Sequence, residues 1–540
     1  MGTTMQDFPL TVTHLFRHGQ QVHARSEVVS FDGESISATS YAEVAERTER
    51  LAGALAGLGI ERGDRVGTLM WNSQEHLEAY FAVPCMGAVL HTLNLRLPPA
   101  DLGQIMAEAG DRVVIAHASL LPLLLAAAGE VPCLETVLVA ADPGLPAPAL
   151  GRQGAVEYAP YEDALSAAGP WSSWPELEER SPCAICYTSG TTDLPRGVVY
   201  SHRSTFLHAL CTSTGAVFSL GTDDAVLPLV PMFHVNAWGI PYASWMQGAT
   251  IVMPHRWLMG GPVCKLIKLA RPTAASGVPT IWASLLEFAD EHPSEVDFSS
   301  LRLASSGGAA LPRAIMETFR DRWGVQMGQG WGMTETSPVC TYTLVGGEGE
   351  REDKPLSAGR IVPGVEMRVV TPEGDIAPRD GSSVGEIEVR GPWVTASYIG
   401  EDEQGARGAG QFHDGWLRTG DIGTLDEDGY LTISDRLKDV VKSGGEWISS
   451  LRLENELMAH PGVAEAAVVA VPDDRWGERP MAFVVLRRGA TVGEDDLKKY
   501  LDGRVPHWWA PGHWAFVAEI PKTSVGKYDK VALRARFPGG

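Results

Sequence analysis

Over most of the first 340 residues or so, segments with a helical repeat of apolar side chains alternate with short apolar runs of strand length. That alternation restricts the fold more than any other feature, because each helix must bury one stripe against a sheet. Residues 41–60 place Val44, Thr48, Leu51, Ala52 and Leu55 on one helical face, and Gly57 and Gly59 suit its end. A strand-like run, Asp64–Met70, follows, and the alternation continues to about Ala116. These patterns predict a layered α/β domain. Residues 141–182, rich in Pro, Gly, Ser and acidic side chains, read as surface connection.

From about 366 to 434 short strands dominate (VEMRVV, VGEIEVR, YLTIS), which predicts a β-rich subdomain. The pattern changes after Asp435: a helix, two apolar runs, a second helix and a last strand make an α+β unit of about a hundred residues, an ordinary domain size. The expected organisation is therefore a large N-terminal domain, 1–434, and a small C-terminal domain, 435–540, joined at 435–436. A chain of 540 residues exceeds what one hydrophobic core supports, in keeping with at least two domains.

A formal net charge of −23 argues against nucleic acid or an anionic membrane surface as the main partner. No stretch approaches the roughly 20 apolar residues of a membrane span, and the N-terminus lacks the pattern of a signal peptide. The seven scattered cysteines suit a reducing cytoplasm, where the protein is expected. Cys183 and Cys186 form the one close pair. They lie in an apolar run with no second pair or histidine cluster in sequence to complete a zinc site, and core packing is the expected use.

The most informative run is Tyr187-Thr188-Ser189-Gly190-Thr191-Thr192-Asp193-Leu194-Pro195-Arg196-Gly197, after a predicted strand. Glycines and small hydroxyl residues let backbone N–H groups close around an anion, and Arg196 adds a fixed positive charge. The spacing is not that of a Walker A loop. Loops of this composition are also commonly structural, so phosphate binding and a bland turn both remain open from this run alone.

The run resembles the phosphate loop of the adenylate-forming superfamily of acyl-CoA synthetases, luciferases and peptide-synthetase adenylation domains, whose usual pattern is Thr-Ser-Gly-Thr-Thr-Gly-x-Pro-Lys-Gly. Here Asp193 replaces a glycine and Arg196 the lysine. Asp tolerates left-handed backbone, and Arg keeps the charge but not the geometry of Lys. Further motifs follow in the family's order. Gln329-Gly330-Trp331-Gly332-Met333-Thr334-Glu335 resembles the adenine and magnesium motif, which implies Trp331 on adenine, Thr334 at the α-phosphate and Glu335 as the Mg²⁺ ligand. The resemblance makes Asp421 the acceptor of the ribose hydroxyls, Asp435 the hinge, Arg436 a second ribose contact and Lys438 a nucleotide contact. It places Gly445 on the pantetheine tunnel and Lys527, in Pro-Lys-Thr-Ser-Val-Gly-Lys, as the adenylation lysine.

Within the superfamily, the runs around His234 and Gly444 are most similar to medium- and long-chain fatty acyl-CoA synthetases. His234, Val235, Trp238, Gly307, Gly308 and Ala309 are the implied acyl pocket, with Trp238 either a gate or a core aromatic. His234 stands where peptide-synthetase domains carry an Asp for the amino group, which argues against an α-amino acid. The implied reaction uses ATP, Mg²⁺ and coenzyme A on a small-molecule carboxylic acid, fatty or bulky aryl or polycyclic. The resemblance alone makes a homodimer the implied assembly. The alternatives are an acyl-AMP ligase serving a carrier protein and a degenerate nucleotide-binding homologue.

Overall fold

A computed structural model describes residues 3–142, 145, 148, 151–171, 173–188, 195–345, 357–400, 410–444, 446–522 and 528–536. The helix predicted over 41–60 spans Tyr41–Gly57. A reciprocal cap starts it: Ser40 Oγ accepts from Glu43 N (3.2 Å) and Glu43 Oε2 accepts from Ser40 N (2.9 Å). The next strand is Arg65–Leu69. It opens a sheet of eight described strands whose centre is parallel: Pro182–Tyr187, Val89–Thr92, Arg65–Leu69, Asp111–His117, Thr136–Ala140 and Val156–Pro160 lie side by side in that order.

A second sheet joins 14 described strands. One half is parallel and runs from Glu27–Phe31 through Thr250–Met253, Ala225–Pro228, Ala274–Gly277 and Leu303–Ser306 to Gln326–Gly332. Its other half is antiparallel and contains the strands expected of the β-rich subdomain, Glu366–Val370, Gly385–Arg390, Trp416–Leu425 and Tyr430–Arg436. That region is continuous with the larger sheet, so Asp421 and Gln326–Gly332 belong to one framework.

Fully buried aromatic side chains from helices and their connections fill the space between the two sheets. Tyr41 stacks on Trp245 at 4.0 Å, and Phe16 and Phe81 close around the same indole. Truncating such a ring costs about 3–5 kcal/mol, so this aromatic cluster ties the sheets together.

Residues 141–182 depart from the expected surface connection. Two strands, Gly151–Gln153 and Val156–Pro160, and a helix, Tyr161–Ala167, occupy part of it. The structuring side chains are sparse: Val156, Tyr158, Tyr161 and Leu165 are buried among polar neighbours. Tertiary burial outweighs the turn-rich composition there. Cys183 and Cys186 lie buried in the strand Pro182–Tyr187, as the apolar run predicted, and burial pushes both thiols up, to about 12 and about 11.

The C-terminal unit pairs Val463–Asp473 antiparallel with Gly477–Leu486. The helices Ser450–Met458 and Glu494–Leu501 cover one face through Leu453, Leu457, Leu497 and Leu501. Asp435 meets this unit directly. Its carboxylate accepts from Ser450 N at 2.5 Å and from Arg436 N at 2.7 Å, capping the helix. Burial raises the Asp435 carboxyl, and Lys530 opposes that shift from across the junction. Among the described residues, no helix is long and apolar enough to cross a membrane.

Candidate active site

The strand Gln326–Gly332 ends in a short 3₁₀ turn, Thr334–Thr336, at the edge where the parallel half of the large sheet meets its antiparallel half. Ligand sites of α/β sheets lie outside the carboxyl ends of strands, and the sequence-predicted residues converge there. Glycine is required along this strand. A Cβ at Gly332 would stand 1.7 Å from Pro338 O, and one at Gly328 1.9 Å from the Tyr342 hydroxyl.

Asp421, 3% exposed, is the polar centre. Its Oδ2 accepts from the Trp331 indole N–H at 2.8 Å, and its Oδ1 pairs with Arg436 Nε at 2.9 Å. The register of Asp421 opposite Arg436 in adjoining strands sets that pair. Residues from three separate motifs thus meet here: the N–H edge of the Trp331 indole, the Asp421 carboxylate and the Arg436 guanidinium. Asp421 strongly favours the charged form of Arg436. Lys438 is exposed, and burial of part of its side chain together with Arg436 lowers its ammonium.

A second chain of contacts begins at Glu335. Its Oε1 accepts from the Tyr398 hydroxyl at 2.6 Å. Gln411 Oε1 accepts from the same hydroxyl at 3.2 Å and from Arg196 at 2.7 Å, and the Arg196 guanidinium lies 5.3 Å from the centre of the Tyr398 ring. Burial and the Glu335 charge raise the Tyr398 phenol, so it stays a proton donor. Glu335 Oε2 takes no hydrogen bond among the described residues. A buried carboxylate with one oxygen oriented by a phenol and the other uncommitted fits a hard divalent cation such as Mg²⁺. Thr334 is buried beside it, and its carbonyl accepts from Tyr200 at 2.7 Å.

At the predicted phosphate loop, Thr188 and Arg196 close the stem. Thr188 N donates to Arg196 O at 2.9 Å, and Arg196 N donates to Thr188 Oγ1 at 3.0 Å. Ser189, Gly190, Thr191, Thr192 and Asp193 lie outside the described residues, as do Gly445 and Lys527. Gln329 faces inward. Its carboxamide accepts from Leu311 N at 2.8 Å and donates to Ser357 O at 2.8 Å, so it braces the segment after Gly307.

The acyl-pocket candidates lie in two segments, 234–238 and 307–309. Val235, Asn236, Ala237, Trp238 and Gly239 all have φ between 46° and 69°, a left-handed turn that costs roughly 1–2 kcal/mol per non-glycine residue. Within it Ala237 N donates to His234 O at 3.0 Å and Gly239 N to Asn236 O at 2.9 Å, and further bonds fix the approach to it. Asn72 donates to Pro228 O and Val230 O and accepts from Met232 N, all within 2.9 Å, and Tyr80 donates to Met232 O. Trp238 lies over Gly307, where a Cβ would be 3.0 Å from the indole ring. Gly308, at φ +79°, and Ala309 are exposed, whereas Val235 is buried and His234 half-buried. Behind the turn stands His208, whose Nε2 accepts from Val339 N at 3.2 Å. Burial drives that imidazole down to about 3, so it is neutral.

Tyr398, Gln411, Tyr200 and His208 carried no signal in sequence. They belong to no motif, and only folding brings them to Glu335 and the left-handed turn.

The chain matches the AMP-binding enzyme family over residues 16–399 and the C-terminal domain of AMP-binding enzymes over 452–527. It is 42% identical to a long-chain-fatty-acid–CoA ligase of Thermus thermophilus, covering 99% of this chain and 97% of that protein. A 3-methylmercaptopropionyl-CoA ligase of Ruegeria pomeroyi is 41% identical, covering 98% and 97%. Among solved structures, an anthranilate CoA ligase in complex with anthranoyl-AMP superposes with a TM-score of 0.85 at 27% identity over 98% of both chains. The fold and site define an adenylate-forming enzyme. The chain belongs to the AMP-binding enzyme family, as an AMP-forming acyl-CoA synthetase.

Proposed function

We propose that this synthetase activates a hydrophobic carboxylic acid, fatty or aryl, as its acyl-adenylate and then transfers the acyl group to coenzyme A, with the small domain alternating about Asp435. The observation that carries this reading is the convergence of Trp331 and Arg436 on Asp421, beside Glu335. When ATP binds, Asp421 exchanges these partners for the ribose hydroxyls and Trp331 is freed to stack on adenine. An ionised carboxylate with two oxygens suits a diol.

In the first step a carboxylate oxygen of the acid attacks the α-phosphorus. The bond to the β-phosphate breaks and pyrophosphate leaves. Positioning and charge neutralisation lower the barrier. Glu335 would hold Mg²⁺, which supplies charge neutralisation at the phosphates, and Arg196 and Lys527 share that task. In the second step the coenzyme A sulfur, as its thiolate, attacks the acyl carbon. The bond to the AMP oxygen breaks, AMP leaves, and the thiol proton passes to solvent. Lys527 and the pantetheine arm, lined by Gly445, need the same space at different times. The small domain must therefore turn between the steps, a closure of the kind that often limits turnover.

The partly buried Trp238 over Gly307 and the apolar left-handed turn favour a hydrophobic acid. The two relatives named above are called ligases of a long-chain and of a short sulfur-bearing acid, so chain length does not follow from them. Pyrophosphate release with ATP and Mg²⁺, across a panel of straight-chain and aryl acids with and without coenzyme A, tests the reading. Release should require one class of acid and turn over only with coenzyme A. Lys527→Ala should lose the first step by at least about 10²-fold while supplied acyl-adenylate still yields thioester. Equal loss of both steps refutes the two-state assignment, and release without any thioester product points to a carrier-protein acceptor.

A further inference from the structure

Three strands from two different sheets bring their carboxyl ends together away from the site above. His117 ends the strand Asp111–His117, Asp142 stands two residues beyond Thr136–Ala140, and His255 two residues beyond Thr250–Met253. His117 Nε2 lies 3.6 Å and His255 Nε2 3.7 Å from the same oxygen, Asp142 Oδ1. One ligand atom from each residue falls within 4.8 Å of the other two, and the imidazole rings meet edge to face at 4.9 Å. We propose that His117, Asp142 and His255 form a binding site for a divalent transition-metal ion of the zinc type, which ties the eight-stranded sheet to the larger one.

His117 is 2% exposed, yet its Nε2 has no hydrogen-bond partner. A buried ring nitrogen left without a partner is unfavourable, and a metal ion would take that place.

The surroundings complete the ligand geometry. On the far side of His117, Nδ1 lies 2.8 Å from Ser119 Oγ. Nδ1 also accepts from Ser119 N at 3.2 Å, so metal binding at Nε2 has to move the ring proton to Nδ1, where the Ser119 hydroxyl then accepts it. His255 N donates to Asn72 O at 2.9 Å and holds His255 in left-handed backbone at φ 55°. Arg256 takes Asp142 Oδ2 at 2.8 Å, which leaves Oδ1 for the metal. The Asp142 side chain is 27% exposed, so an ion has a way in.

These features select the kind of ion. Two imidazole nitrogens and one carboxylate oxygen suit zinc, cobalt or nickel, with water in a remaining position. Mg²⁺ wants oxygen ligands and keeps its waters, and the Arg256 charge repels any cation that imidazole does not hold firmly. Ligand separations of 3.6–3.7 Å are a few tenths of an ångström wider than zinc bonds of about 2.0–2.1 Å impose, so binding draws the three side chains together.

Zn²⁺ titrated into metal-stripped full-length protein should bind at about one ion per chain, resist excess Mg²⁺ and raise the melting temperature. His117→Gln and His255→Asn should each weaken binding at least about tenfold, while Glu335→Gln leaves it unchanged. Co²⁺ should give the visible spectrum of a nitrogen-ligated site in the wild type and lose it in either variant. Histidine-modification footprinting of the wild type needs no variant to fold: Zn²⁺ should protect His255. Absence of saturable Zn²⁺ binding overturns the proposal. So does undiminished binding in both variants, or protection confined to another histidine pair such as His18 and His23, whose rings lie 5.3 Å apart.

Discussion

On the nucleotide side, Asp421, Trp331 and Arg436 satisfy one another, and Glu335, Tyr398, Gln411 and Arg196 form a continuous polar chain. The side read as the acyl pocket is made mostly of apolar side chains and glycines. It consists of a left-handed turn, Val235–Gly239, that follows a segment fixed by Asn72, and of glycines that leave room for an indole. The nucleotide is common to every member of such a family, and a polar constellation recognises it by fixed hydrogen bonds. The acid varies, and packing selects it by shape. In the proposed reading, chemistry and specificity are held by different forces.

The largest test of that division is Asp421→Ala. Loss of a carboxylate that would accept two ribose hydroxyls, at about 1.5–3 kcal/mol for each charged bond, should raise the KM for ATP about 100-fold or more and leave the ranking of acids unchanged. Steady-state kinetics at several acids reads both, and a changed ranking would break the division. Gly307→Ala should do the reverse. Its new Cβ would meet Trp238 at 3.0 Å and Gly330 O at 3.3 Å. At about 1–3 kcal/mol per methylene of fit, kcat/KM for the longest or widest acids should fall tenfold or more while the KM for ATP holds.

A smaller effect is expected of Tyr398→Phe, which removes the donor to Glu335 Oε1. The Mg²⁺ concentration for half-maximal pyrophosphate exchange should rise about tenfold, with little change at saturating Mg²⁺. A loss at every Mg²⁺ concentration would make Tyr398 a packing residue only.

The smallest effect concerns the wall behind the turn. Burial holds the His208 imidazole near 3, below its ordinary value of 6.5. At neutral pH both the folded and the unfolded chain carry it uncharged. As the pH falls below about 6.5, the unfolded chain gains a proton that the folded one refuses. Stability then drops by up to about 1.4 kcal/mol per pH unit for this group. His208→Gln should therefore lose less stability than the wild type between pH 6.5 and 5, measured by urea unfolding. Equal pH slopes would mean that His208 is charged or exposed in the native protein.

The residues that converge on Asp421 were singled out because they come in short contiguous motifs, Gly330–Thr336, Asp421 and Asp435–Arg436, each with a residue type that the proposed chemistry demands. The layered α/β class was legible from helical and strand periods, and so was the burial of Cys183 and Cys186 in a strand. Residues 151–167 were not, since four buried side chains among turn-formers give no clear period. Tyr398 and Gln411 were silent because a single Tyr or Gln has no spacing to read.

By itself, the sequence determined the chemistry of an adenylate-forming ligase, the order of its motifs and the α/β layering, all of which depend on local spacing and residue type. Only the tertiary structure decided that Gln329 faces inward, that Val235–Gly239 wind left-handed, and that His117, Asp142 and His255 share a corner. Those outcomes depend on which strands lie side by side. Strand order is set by burial summed over the whole chain, and no local run of residues encodes it.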